Sequence, residues 1–122
     1  MPRSEPRPPE SLLPLRTNWF HVLLCLADGD QHGYAIMQEV LQRTDGKVRL
    51  WPATLYGSLR RLVEEDLIEE GQRWADADDV RRRYYRLSPF GRRVLTAEIE
   101  RLEGLVKAAR AKRRMLNTVP SR

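Results

Sequence analysis

From Ser88 onward the chain carries an apolar pattern that it has little other material to cover. Leu95, Ile99, Leu102, Val106 and Ala109 follow spacings of 4, 3, 4 and 3, the seam of a coiled coil. Ser88-Pro89 opens the helix, with Ser suited to the N-cap and Pro to the first position, although Gly91 stands where a capping-box acid would be. We expect this helix over residues 89–114, with residues 115–122 fraying beyond Lys112-Arg113-Arg114. A chain of 122 residues builds one small core. A second copy of the same helix is the natural cover for the stripe, so Leu95, Ile99, Leu102, Val106 and Ala109 are expected at a homodimer interface.

Upstream, the pattern is mainly helical. Five of the eight prolines fall within the first 14 residues, so residues 1–11 are expected to be a flexible arm. Leu15, Trp19, Val22, Leu23 and Leu26 then recur at helical spacing and stop at Asp28-Gly29-Asp30. A second amphipathic segment, Gly33 to Arg43, places Tyr34, Met37, Val40 and Leu41 on one side before Thr44-Asp45-Gly46 breaks it. Lys47-Val48-Arg49-Leu50 alternates polar and apolar like a short strand, and Trp51-Pro52 restarts a helix that reaches Glu65. In this third helix Leu55, Leu59, Leu62 and Val63 commit one stripe to the core. Ala53, Gly57, Arg61 and Glu64 are left on the other side, with Arg60 on the shoulder. Leu67 to Trp74 and Arg81 to Leu87 read as a hairpin joined by residues 75–80, with Tyr85 and Leu87 facing inward.

Charge is divided along the chain. Residues 81–122 hold 13 basic and 3 acidic side chains, whereas residues 1–80 hold 9 basic and 14 acidic ones. A basic block of this kind favours a polyanionic partner, because neutralising phosphates releases counterions. Other classes find little support. The longest apolar run, Val22 to Ala27, is far short of a membrane span, and the last helix lacks interfacial aromatic residues, so no membrane partner is expected. A single cysteine, Cys25, excludes a disulfide framework and fits a soluble, cytoplasmic protein. His21, Cys25 and Asp28 share a helical face at ligand-like spacing, yet with no second cysteine they are read as surface and core residues, and no metal or cofactor is expected. Nothing basic is fixed beside Cys25 by spacing. No Ser/His/acid or Cys/His set and no phosphate-cradling Gly-rich loop is present, so the chain is not read as an enzyme. Trp19, Trp51 and Trp74 are read as packing residues, with Trp19 also a candidate effector contact if a partner helix packs there.

The order helix, helix, short strand, helix, hairpin, helix describes a mainly α fold with a small β-hairpin: a winged helix-turn-helix over residues 12–88 followed by a long C-terminal dimerisation helix. Its third helix needs a buried stripe and a small or polar outer face able to enter a major groove, which Ala53, Gly57 and Arg60 allow. Arg60 and Arg61 suit guanine edges or phosphates, although Glu64 and Glu65 stand four residues on as possible ion-pair partners. The basic run Arg81-Arg82-Arg83 would lie beside the flanking backbone.

Several motifs in this order resemble the PadR family of bacterial transcriptional regulators, over roughly residues 12–110. They are Leu24-Cys25-Leu26-Ala27-Asp28-Gly29, His32-Gly33-Tyr34-Ala35-Ile36, Thr54-Leu55-Tyr56 with Leu59-Arg60-Arg61-Leu62, Leu67-Ile68, and Tyr84-Tyr85-Arg86-Leu87-Ser88 with Gly91. The single helix after the hairpin resembles the family's shorter branch. The resemblance implies a dimeric repressor that binds double-stranded DNA at an inverted repeat and releases it when a small, often aromatic effector binds. It places Thr54, Tyr56 and Arg60 at DNA, His32 and Tyr34 at phosphates, and Arg82 and Arg83 on the wing. The alternative is a winged-helix module that docks a protein and binds DNA only through bulk charge. The acidic turn Asp76-Ala77-Asp78-Asp79, which would repel a phosphate backbone, favours that alternative.

Overall fold

The computed structural model describes residues 7–72 and 83–118. A 3-10 turn (Pro9–Leu12) leads into α1 (Thr17–Leu26), β1 (Gln31–His32), α2 (Gly33–Arg43), α3 (Pro52–Glu64), β2 (Ile68–Gln72), β3 (Arg83–Leu87) and α4 (Pro89–Thr118). The three strands form one antiparallel sheet in the order β1-β3-β2. Tyr85 in the central strand faces Gln31 on one side and Glu70 on the other. The residues joining β2 to β3, with Trp74, the acidic turn, Arg81 and Arg82, lie outside the described residues.

One core organises these elements. Val22, Leu23, Cys25 and Leu26 of α1, Ile36 and Val40 of α2, Leu55, Leu59 and Leu62 of α3, and Leu67 and Val94 have almost no exposed surface. Each fully buried leucine contributes on the order of 2 kcal/mol relative to exposure, so the α3 stripe alone fixes which way that helix faces. Tyr85 and Leu87 turn inward as their alternation requires. In α2 the expected face is rotated. Ile36 and Val40, one turn apart, take the core, whereas Tyr34, two residues before Ile36 and so on the opposite side, is 61 % exposed.

Lys47 to Leu50 forms no strand. Its alternation arises because Leu50 plugs the core while Arg49 and Trp51 stay outside, and no strand edge is paired with it. The short partner strand is instead Gln31–His32.

The end of the proline-rich segment is docked from Arg7 onward. The Arg7 guanidinium donates to the Glu65 carboxylate at 2.9 Å and to the Glu65 carbonyl, and it lies over the Phe90 ring at 4.9 Å. Proline prevents a helical ladder here, but an ion pair and a cation–π contact need none.

The start of α4 is locked to the end of α3. Ser88 Oγ accepts from the Gly91 N–H at 2.8 Å, the expected N-cap, and donates to the Asp66 carbonyl at 2.6 Å. Gly91 is required there because a Cβ would stand 1.9 Å from the Leu67 carbonyl oxygen, a closer approach than any side chain allows. One further tie was not foreseen. The Glu98 carboxylate, 2 % exposed, accepts from the Leu15 N–H at 3.0 Å and from Arg101 at 2.6 and 3.1 Å. Arg101, ahead of the Leu15 N–H, holds this carboxyl below its ordinary pKa against the opposing effect of burial. Leu95, expected on the dimer seam, is buried in the chain's own core, because α1 and β3 pack against the base of α4. The helix also runs on to Thr118, past the expected end at Arg114.

Candidate nucleic-acid interface

Trp51 has an extended backbone and Pro52 occupies the first turn of α3, a position that needs no N–H donor. With Leu55, Leu59 and Leu62 held inside, the opposite face emerges: Thr54, Tyr56, Arg60 and Arg61 are all exposed. A Cβ at Gly57 would meet nothing within 4 Å, so the helix surface there is open to close approach. Arg60 has no hydrogen bond or ion pair among the described residues. Arg61 reaches Glu64 at 3.6 Å with both side chains about half exposed, an interaction worth a few tenths of a kcal/mol. Its expected partner Glu65 is engaged by Arg7.

The start of α2 adjoins this face. His32 caps the helix, its Nδ1 accepting from the Ala35 N–H at 3.2 Å, and its ring meets Tyr84 edge-on at 5.4 Å. The chain therefore satisfies one of the N-terminal donors that an anion would otherwise use. The Tyr56 ring lies against Gly33, where a Cβ would stand 2.5 Å from its hydroxyl oxygen, so α3 and the start of α2 meet through an aromatic plate that is 46 % exposed. Tyr34, the next residue after Gly33, is exposed.

The wing differs. Arg83 donates to Glu70 at 2.8 Å and Arg86 to Glu69 at 3.0 Å, across the β2–β3 pair. Arg83 is exposed but already matched by a carboxylate. Arg82 lies outside the described residues.

On α4, Ile99 is 36 % and Val106 47 % exposed, Ala109 is exposed and Leu102 partly so. Leu116, seven residues beyond Ala109, continues the stripe at 72 % exposure. Trp19 is buried, with Arg16 over its ring at 5.2 Å.

Trp51 departs from its expected packing role: its side chain is 62 % exposed, and Arg49 lies over it at 5.0 Å. Around Cys25 the fold supplies a cation that spacing did not reveal, Arg43, with Nη2 3.4 Å from the sulfur and 2.6 Å from Glu39. Burial nevertheless pushes the thiol up to about 11, so the cation does not yield a reactive thiolate. Burial also lowers the pKa of His21, assisted by Arg43. Among the described residues no group of three or more His, Cys, Asp or Glu could hold a metal ion, and no helix is long and apolar enough to cross a membrane.

Comparison with known proteins agrees with this architecture. Residues 22–97 match the model of the transcriptional regulator PadR-like family. The chain belongs to this family. A transcriptional regulator of Mycobacterium tuberculosis is 37 % identical over 87 residues, 71 % of this chain and 77 % of that one. Among solved structures, a PadR family regulator from Clostridium difficile superposes with a TM-score of 0.69 at 23 % identity, covering 79 % of this chain and 97 % of its own. The PadR of Bacillus subtilis, solved in complex with operator DNA, gives 0.61 at 20 % identity, over 70 % of this chain and 48 % of that one. The likeness to both structures is one of winged-helix fold.

Proposed function

We propose that this PadR-family chain is a sequence-specific DNA-binding repressor, acting in the bacterial cytoplasm as a homodimer on an inverted-repeat operator and releasing it when a small aromatic effector binds. The observation that carries this reading is the outer face of α3, where Thr54, Tyr56, Arg60 and Arg61 are exposed around an open Gly57, above a fully buried leucine stripe. Such a face fits a major groove about 12 Å wide, with Arg60 able to hydrogen-bond a guanine edge. Tyr34 and His32 at the start of α2 are assigned to flanking phosphates, and Arg82 and Arg83 to the backbone beside the wing. That the Bacillus subtilis relative was solved with operator DNA supports DNA as the partner. Pairing through Ile99, Leu102, Val106 and Ala109 would set two copies of α3 in successive grooves about 34 Å apart. Trp19 is assigned to the effector, which would reach it where the partner's α4 packs on α1.

Fluorescence anisotropy on the promoter region of the protein's own operon, against shuffled DNA of equal length at two salt concentrations, tests this. Preference for the promoter that Arg60→Ala weakens more on promoter than on shuffled DNA is the expected result. A second reading, a protein-docking module with only bulk-charge affinity for DNA, draws on the pairing of Arg83 and Arg86 with Glu70 and Glu69, which reduces the wing's positive field. Equal affinity for the two duplexes would support it instead.

A further inference from the structure

The five residues before α3 alternate in a way that the fold turns into a surface. Leu50 is 2 % exposed and Val48 partly buried, whereas Lys47, Arg49 and Trp51 all face out. Both ends of the segment are held. Thr44 Oγ1 accepts from the Val48 N–H at 2.9 Å, and the Trp51 carbonyl accepts from the Leu55 N–H at 2.8 Å. Leaving an indole 62 % exposed forgoes one of the largest apolar burials a side chain offers, and no described ring packs on it. Its one described neighbour of note is the Arg49 guanidinium at 5.0 Å, which has no carboxylate partner among the described residues. Stacking on the ring orients that guanidinium and leaves its in-plane N–H groups unused.

The location gives these two side chains a use. Trp51 is the N-cap of α3, and reading helices present their N-terminal residues to base edges. We infer that Arg49 and Trp51 form a DNA-contact pair at the end of each half-site, the indole lying against a thymine 5-methyl group and the guanidinium, held over the ring, hydrogen-bonding the adjoining phosphate. Apolar contact with that methyl is how a side chain without matching polar groups selects thymine in the major groove. Lys47, exposed two residues earlier, extends the same cationic edge. The assignment rests on α3 entering DNA, as proposed above, and adds a specificity determinant to it.

The test uses the full chain and the promoter duplex, compared with copies in which single thymines are replaced by deoxyuridine, which removes only the methyl. Trp51→Ala should weaken promoter binding about tenfold while changing shuffled-DNA binding little. In the unsubstituted protein one thymine-to-uracil change per half-site should reproduce most of that loss, and in Trp51→Ala it should add nothing. Trp51→Phe, which keeps an aromatic ring, should retain most of the affinity but lose the DNA-induced change in tryptophan emission. Arg49→Ala should lower affinity for both duplexes and reduce the salt slope by about one per protomer. Full promoter preference in Trp51→Ala, where Arg60→Ala loses it, would overturn this assignment alone. Absence of promoter preference in the unsubstituted protein would overturn it together with the reading on which it rests.

Discussion

Along α4, Gly91, Val94, Leu95 and Glu98 are buried, whereas every residue from Glu103 to Thr118 is exposed. A single stripe at 4-3 spacing thus passes from an environment of this chain's own making to one it cannot provide. The base is covered because the 3-10 turn, α1 and β3 reach it, and the rest of the helix runs beyond them. Seam spacing alone reports that a stripe needs cover; chain length and topology decide whether the cover is internal.

That contrast yields predictions of decreasing size. Gly91→Ala at the base places a methyl against the Leu67 carbonyl, backbone that cannot step aside, and should cost about 3 kcal/mol or more by denaturant unfolding. Leu95→Ala should cost about 2–5 kcal/mol in the same measurement. Leu102→Arg, about two helical turns further on, should leave the protomer's helical content intact yet give monomers by sedimentation and abolish promoter binding. A dimeric Leu102→Arg protein would remove this surface from the interface. Glu98→Gln should destabilise by roughly 1–3 kcal/mol, since it weakens the partners of Arg101 and the Leu15 N–H. Because the folded-state pKa of Glu98 is depressed, its stabilisation is complete above the ordinary carboxylate range and disappears as pH falls through its folded value. The acid limb of the stability–pH curve should therefore be shallower in Glu98→Gln. Smallest, Leu116→Ser should shift the dimer constant by less than about tenfold, because the end of a seam is the part most open to water.

Much of the fold was legible in the residues. Gly33 to Arg43 is a helix with the expected ends, α3 begins at Pro52 with its leucines inside, and Ser88 caps α4. These features are local: a cap, a breaker or a 3.6-residue period declares itself within a few positions. What escaped was long-range. Two residues are too few to show alternation, so Gln31–His32 is a strand only because β3 lies beside it. Glu98 has no local mark, since its backbone donor, Leu15, is 83 positions away. Arg7 sits in sequence that favours no regular structure, and its docking depends on Glu65 and Phe90 meeting at the α3–α4 junction. On α3, the exposure of Arg60 and Arg61 was readable from the leucine stripe. The exposure of Trp51 was not, because an isolated tryptophan in sequence is more often packed than exposed, and only its neighbours' burial reveals which.

Gly91 against the Leu67 carbonyl, Ser88 between Asp66 and the first turn of α4, and Glu98 on Leu15 leave that helix no joint at its root. It is a boom welded to its cab. In a pair assembled along the free part of the boom, the splay between the two copies of α3 would follow from the scissor angle of the two helices, and a few degrees there would become ångströms at α3.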